Sequence, residues 1–85
     1  MDGKQIGTVT HFYNRICVAV IDLTDDIRVG DSVHFLGRYT DFRQQVISIQ
    51  IEHEQVEGAG KGQEIALKVD KRVRKGDKVF KLIEE

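Results

Sequence analysis

Apolar residues along this chain recur mainly at every second position, the period of a strand with one buried face, and no stretch holds the spacing of a long amphipathic helix. Gln5 to Phe12 is rich in β-branched residues and predicts a first strand, with Gly7 marking a bulge or a close backbone approach. Tyr13-Asn14-Arg15 suits a hairpin connection into a second strand, Ile16 to Leu23. There both alternating sets are apolar: Ile16, Val18 and Val20 on one side, Cys17, Ala19, Ile21 and Leu23 on the other. That pattern fits either a strand buried on both faces or an outward patch for a partner. Thr24-Asp25-Asp26 is a polar turn, and Ser32 to Leu36 a third strand. Gly37 to Arg43 breaks the alternation and reads as a loop. Gln44 to His53 resumes it as a fourth strand, with Ile47, Ile49 and Ile51 on one face. Glu54 to Gly62 is a polar, glycine-rich connection, Gln63 to Val69 a fifth strand, and Lys78 to Ile83 a sixth.

One pattern occurs twice. Ile27-Arg28-Val29-Gly30-Asp31-Ser32-Val33-His34-Phe35-Leu36 is echoed by Val73-Arg74-Lys75-Gly76-Asp77-Lys78-Val79-Phe80-Lys81-Leu82. Each copy places Gly-Asp just ahead of a strand-like run, so each predicts a tight turn feeding a strand, the third in one case and the last in the other.

Six short strands, regular turn signals and no proline describe an all-β chain. A sheet this small exposes its edges, so a closed, antiparallel-rich six-stranded β-barrel is expected. The 85 residues make a single domain, 1–85, with a core over about 5–83 and room for one site or binding face. The longest apolar run, Ile16 to Ile21, is far short of the roughly 20 residues of a membrane span. The start, Met1-Asp2-Gly3-Lys4-Gln5, has no hydrophobic signal segment, which predicts an intracellular protein. The lone Cys17 provides no internal disulfide and fits a reducing compartment.

Net charge is −1, which argues against a general nucleic-acid binder, but its distribution is uneven. Seven of the 13 basic residues lie between Lys68 and Lys81 against two aspartates, leaving that segment locally +5. Acidic residues collect at Asp22, Asp25, Asp26 and Asp31 and at Glu52, Glu54, Glu57 and Glu64.

The order of Gly7-Thr8-Val9, the Ile27 to Val33 turn and strand, Val46-Ile47-Ser48-Ile49, Val56-Glu57 with Ala59, Gly62 before Ile65-Ala66-Leu67, and Val73 to Asp77 resembles the second domain of translational GTPases such as elongation factor Tu. The likeness covers roughly residues 5 to 83, and extends to small stand-alone proteins described as translation elongation factor-like. Similar barrels are appended to certain collagenase-type peptidases. The resemblance implies a translation-protein barrel in the cytoplasm that binds RNA (tRNA or single-stranded) or a translation-associated protein, without being an enzyme. No Gly-x-x-x-x-Gly-Lys-Ser/Thr loop is present, so the chain is no GTPase by itself. The competing expectation is a protein interaction or assembly module using the second apolar face of Ile16 to Leu23.

Candidate chemistry is sparse. Cys17 lies in the most apolar strand and reads as a core residue rather than a nucleophile. The histidines show no metal-ligand spacing, and Asp25-Asp26 reads as turn chemistry. No catalytic, metal or cofactor site is expected. Single-stranded RNA is held by aromatic stacking and arginine. The candidate ligand-binding residues are therefore Arg38, Tyr39, Phe42 and Arg43, with Tyr13 and Arg15 of the similar His11 to Arg15 stretch, and Lys71, Arg72 and Arg74 of the basic segment. The alternative is that Tyr39 or Phe42 plugs a barrel end and the cations form a solvated face.

Overall fold

The computed structural model describes residues 3–82. Ten strands are present among them: β1 (Lys4–Tyr13), β2 (Val18–Leu23), β3 (Ile27–Arg28), β4 (Ser32–Leu36), β5 (Asp41–Gln45), β6 (Ile49–Ile51), β7 (Glu54–Val56), β8 (Gly58–Ala59), β9 (Glu64–Lys68) and β10 (Lys78–Lys81). Eight form one sheet in the order β5-β4-β10-β1-β2-β9-β6-β7, with every pairing antiparallel, while β3 and β8 pair by themselves. The all-β expectation holds, and the closed six-stranded barrel does not. The eight strands form a strongly curled sheet whose first and last members, β5 and β7, are not paired with each other.

Curling places the inward row of each strand in one core. Ala19, Ile21 and Leu23 of β2, Val33 and Phe35 of β4, Ile65 and Leu67 of β9 and Val79 of β10 are all buried. The gap past β5 is bridged by a side chain. Gln44, itself buried, donates from Nε2 to the Lys68 carbonyl (3.0 Å) and accepts at Oε1 from the Asp70 N–H (2.7 Å). Its amide thus does for β5 and the 68–70 segment what a peptide group does within a ladder.

The repeated sequence pattern is repeated in three dimensions. Gly30 and Gly76 have φ of 98° and 95°, and Asp31 and Asp77 each close a four-residue turn by donating N–H to the Arg28 and Arg74 carbonyls (3.1 and 3.0 Å). Each aspartate carboxylate then accepts from the N–H of the same arginine, at 2.9 and 2.8 Å. Even the docking repeats: Gly30 N–H bonds the Val46 carbonyl and Val46 N–H the Asp31 carbonyl, while Gly76 and Asp77 make the same pair of bonds with Val9, all at 2.8 Å. The strands that follow, β4 and β10, pair antiparallel with His34 opposite Phe80, so a local two-fold relates the copies. Only glycine adopts this backbone without strain, and a Cβ at either site would meet nothing within 4 Å. Gly30→Ala and Gly76→Ala should therefore each cost about 1–2 kcal/mol, equally, in chemical denaturation. Unequal losses would break the equivalence.

Other expectations shift at boundaries. Gly7 does mark a bulge, with the register against β10 slipping between Gln5 and Gly7. β2 begins at Val18, two residues later than expected, since Asn14 to Cys17 form the hairpin turn. Ile16 is 57% exposed there, and Cys17 has φ of 55° and is half-buried, not a core residue. The anticipated Gln44 to His53 strand is split. Val46 turns in to meet the Gly30-Asp31 turn, which leaves Ile47 exposed before β6 begins. The first three residues of β5, Asp41 to Arg43, and all of β7 and β8 occupy stretches expected to be loops, while Gln44 and Gln45 of β5 begin the anticipated fourth strand. Ile83, assigned to the last strand, lies outside the described residues, as do Met1 and Asp2 at the start. No helix among the described residues is long and apolar enough to cross a membrane.

Charge is polarised along the β2–β9 ladder. Val18 pairs with Lys68 at one end and Asp22 with Glu64 at the other. Near that acidic end Lys4 bonds the Asp25 carboxylate. Together with the Asp26 N–H, this bond holds the Asp25 carboxyl below its usual range.

Candidate functional site

The site is built on the second Gly-Asp turn. Asp77 is buried and fixes the Arg74 backbone through its carboxylate. Its other oxygen lies so close to Gly37 that an added Cβ there would overlap it. Gly37 begins the β4–β5 turn, closed by its N–H to the Thr40 carbonyl (2.7 Å). The absent side chain lets this turn press against residues 74–77, which brings Tyr39 to Arg74. The Tyr39 ring is 71% exposed, with the Arg74 and Arg38 guanidinium carbons 5.1 and 5.5 Å from its centroid. Such contacts are worth about 0.5–1 kcal/mol at exposed sites, enough to order the ring without hiding it.

On the other side of the same segment lies the β1–β2 hairpin, held by the Val9 bonds to Gly76 and Asp77. Between the two is a shallow, open depression of about 300 Å³ lined by His11, Phe12, Asn14, Arg72, Val73, Arg74 and Lys75. Half-buried Phe12 provides apolar surface, buried Val73 presents almost none, and exposed Arg72, Arg74 and Lys75 supply cationic groups. Tyr13 stands beside it, edge-on to His11 at 4.3 Å between ring centroids.

The candidate residues are therefore gathered unevenly. Arg38, Tyr39, Arg72, Arg74 and, through His11, Tyr13 share one end of the molecule. Phe42 points inward and stacks on Phe35 at 5.1 Å, with the Lys71 ammonium 6.0 Å from its centroid, so it plugs the core while Tyr39 stays free. Arg43 is exposed on β5 opposite His34, whose ring bonds Asp41 at 2.6 Å, and Arg15 is exposed in the hairpin turn. His11, Phe12, Asn14, Val73 and Lys75 also line the depression and were absent from the candidate set. The excess of cations from Lys71 to Lys75 was the signal that could have included Lys75.

A larger and somewhat more enclosed depression of about 710 Å³ lies over β3 and β8, where Asp26, Arg28 and Glu57 offer mixed charge. It brings together no set of like groups comparable with the basic end. No group of three or more His, Cys, Asp or Glu suited to a metal occurs among the described residues.

No family model matches the chain. It is 40% identical over 81 residues to the uncharacterized protease MJ0090 of Methanocaldococcus jannaschii, an alignment that takes in 94% of this chain and 20% of that protein. The chain thus spans about a fifth of the length of the curated relative it matches. Two crystal structures of the C-terminal domain of a Geobacillus thermoleovorans protein assigned to the U32 peptidases have the same fold. Both superpose with a TM-score of 0.86, at 21% identity over 91% of this chain and 98% of that one, and at 22% over 92% and 91%. These likenesses overturn the translation elongation factor-like reading, and with it the expected RNA-binding translation module. The expectation that the chain is not an enzyme falls too, because the aligned relative bears a protease name. Short strands and glycine turns are common to many small curled sheets, so their order alone misled. The chain is similar in sequence to a segment of a protease, and in fold to the C-terminal domain of a U32 peptidase.

Proposed function

We propose that this chain is a peptidase-associated β domain, equivalent to the C-terminal domain of U32 peptidases, and that it serves peptide hydrolysis by holding polypeptide at its basic–aromatic end. The observation that carries the proposal is the convergence of two likenesses on one unit. Nearly the whole chain aligns with a limited segment of a protease, and nearly the whole chain superposes on a domain taken from a U32 peptidase. Fold alone carries no function, so the weight falls on the sequence match. The depression beside Arg74 and the exposed Tyr39 supply what a holding role needs: a recess for a side chain, cations for carboxylates and an amphipathic ring for apolar neighbours.

A graft tests this. In a U32 peptidase with measurable peptide cleavage, the corresponding segment is deleted, or replaced by residues 3–82 of this chain. The deletion should lower cleavage at least tenfold, and the graft should restore most of it. A folded graft no more active than the deletion would contradict the proposal.

A further inference from the structure

We infer that the basic–aromatic end recognises an acidic polypeptide segment, one in which carboxylates alternate with apolar or aromatic residues. The preference for polypeptide over other polyanions rests in part on the peptidase reading, and the remaining argument is geometric.

Arg74 lies at the junction of two features, with its guanidinium against Tyr39 on one side and the open ~300 Å³ depression on the other. Guanidinium groups pair with carboxylates through two parallel hydrogen bonds. Exposed tyrosine and arginine are the side chains that most often anchor protein interfaces. Half-buried Phe12 gives the depression an apolar surface, which a bare anion does not need and an aromatic or aliphatic side chain next to a carboxylate does. A depression of this volume has room for one or two side chains.

Charge limits the length of the occupant. Strands rise about 3.3 Å per residue, so the four positions from Val18 to Asp22 separate the Lys68 end from the Asp22–Glu64 end by about 13 Å. A long polyanion leaving the basic end along the ladder soon meets Asp22 and Glu64, which repel it. Non-specific single-strand binding relies on a positive groove that follows the backbone over several nucleotides. A short acidic segment needs no such track.

The test uses the 85-residue chain and a fluorescent ten-residue peptide alternating glutamate with phenylalanine or leucine. The controls are the same peptide with glutamine for glutamate and a single-stranded oligonucleotide of equal charge. Anisotropy gives affinities, and amide chemical shifts give the location. The glutamate peptide should bind at least tenfold more tightly than its glutamine counterpart, with shifts confined to residues 11–14, 37–40 and 70–76. Arg74→Glu should abolish most of that difference. Tyr39→Ala, at an exposed ring outside the backbone network, should weaken binding about threefold to tenfold with an unchanged melting temperature. Equal binding of the two peptides, shifts elsewhere, or tighter binding of the oligonucleotide at these residues would overturn the inference. So would the same shifts produced by raising protein concentration alone, which would assign the end to a second copy. An active graft together with failed peptide binding would remove this inference only. An inactive graft that binds the peptide would remove the peptidase reading and leave the site.

Discussion

Phe35→Ala should remove about 3–5 kcal/mol of stability, the range for truncating a buried aromatic. Phe35 is fully buried in β4, opposite Phe42 on β5 and Val79 on β10, with its ring stacked on Phe42. Deleting it leaves a void that three strands cannot close together, because their spacing is fixed by ladder hydrogen bonds. Small domains have only about 5–15 kcal/mol in total, so the variant should lose about a fifth or more of its margin. Urea denaturation should show a much lower midpoint with an unchanged slope. The same strands carry the β4–β5 turn, so Tyr39 should lose its position against Arg74 in step with stability.

The second large effect concerns a polar residue. Gln44→Ala should cost about 1–3 kcal/mol, because it removes two part-buried hydrogen bonds, to the Lys68 carbonyl and from the Asp70 N–H, each worth about 0.5–1.5 kcal/mol. For a domain of this size that is a fall of roughly 5–20 °C in melting temperature. Gln44→Glu is the sharper probe. A carboxylate can accept from Asp70 N–H but cannot donate to Lys68, and two oxygens then face each other. Its destabilisation relative to the unsubstituted chain should narrow as pH falls through the carboxyl range, about 4–5, where the protonated form regains a donor. A constant difference across that range would show that the amide clamp is not what holds β5 to the 68–70 segment. Amide exchange at Asp70 gives the same answer locally.

These two residues also mark where sequence reasoning stops. Phe35 could be read directly, since it sits in an alternating run behind a glycine turn, and both signals are local. The Gln44 clamp joins residues 24 and 26 positions away, and nothing local distinguishes this glutamine from Gln45. The twin turns were legible because a positive-φ glycine and a capping aspartate are both written within four residues. The β6–β7 hairpin was not. Its turn is Glu52-His53, both at positive φ, where a two-residue turn of this kind ordinarily carries Asn-Gly. Without that signal, Ile49–Ile51 and Glu54–Val56 read as the end of one strand and the start of a loop. In the site, composition was visible and assembly was not. Arg38-Tyr39 and Arg72 to Lys75 each stood out as basic stretches. That one meets the other follows from Gly37 packing on Asp77, a contact between distant positions.

The sharpest measurement is the steady-state kinetics of the grafted peptidase, with residues 3–82 in place of its own segment, before and after Tyr39→Ala and Arg74→Ala are introduced together. If the basic–aromatic end holds polypeptide for hydrolysis, KM for an acidic peptide should rise about tenfold while kcat stays within about twofold, the signature of lost uniform binding. KM unchanged in a folded variant graft would contradict the account.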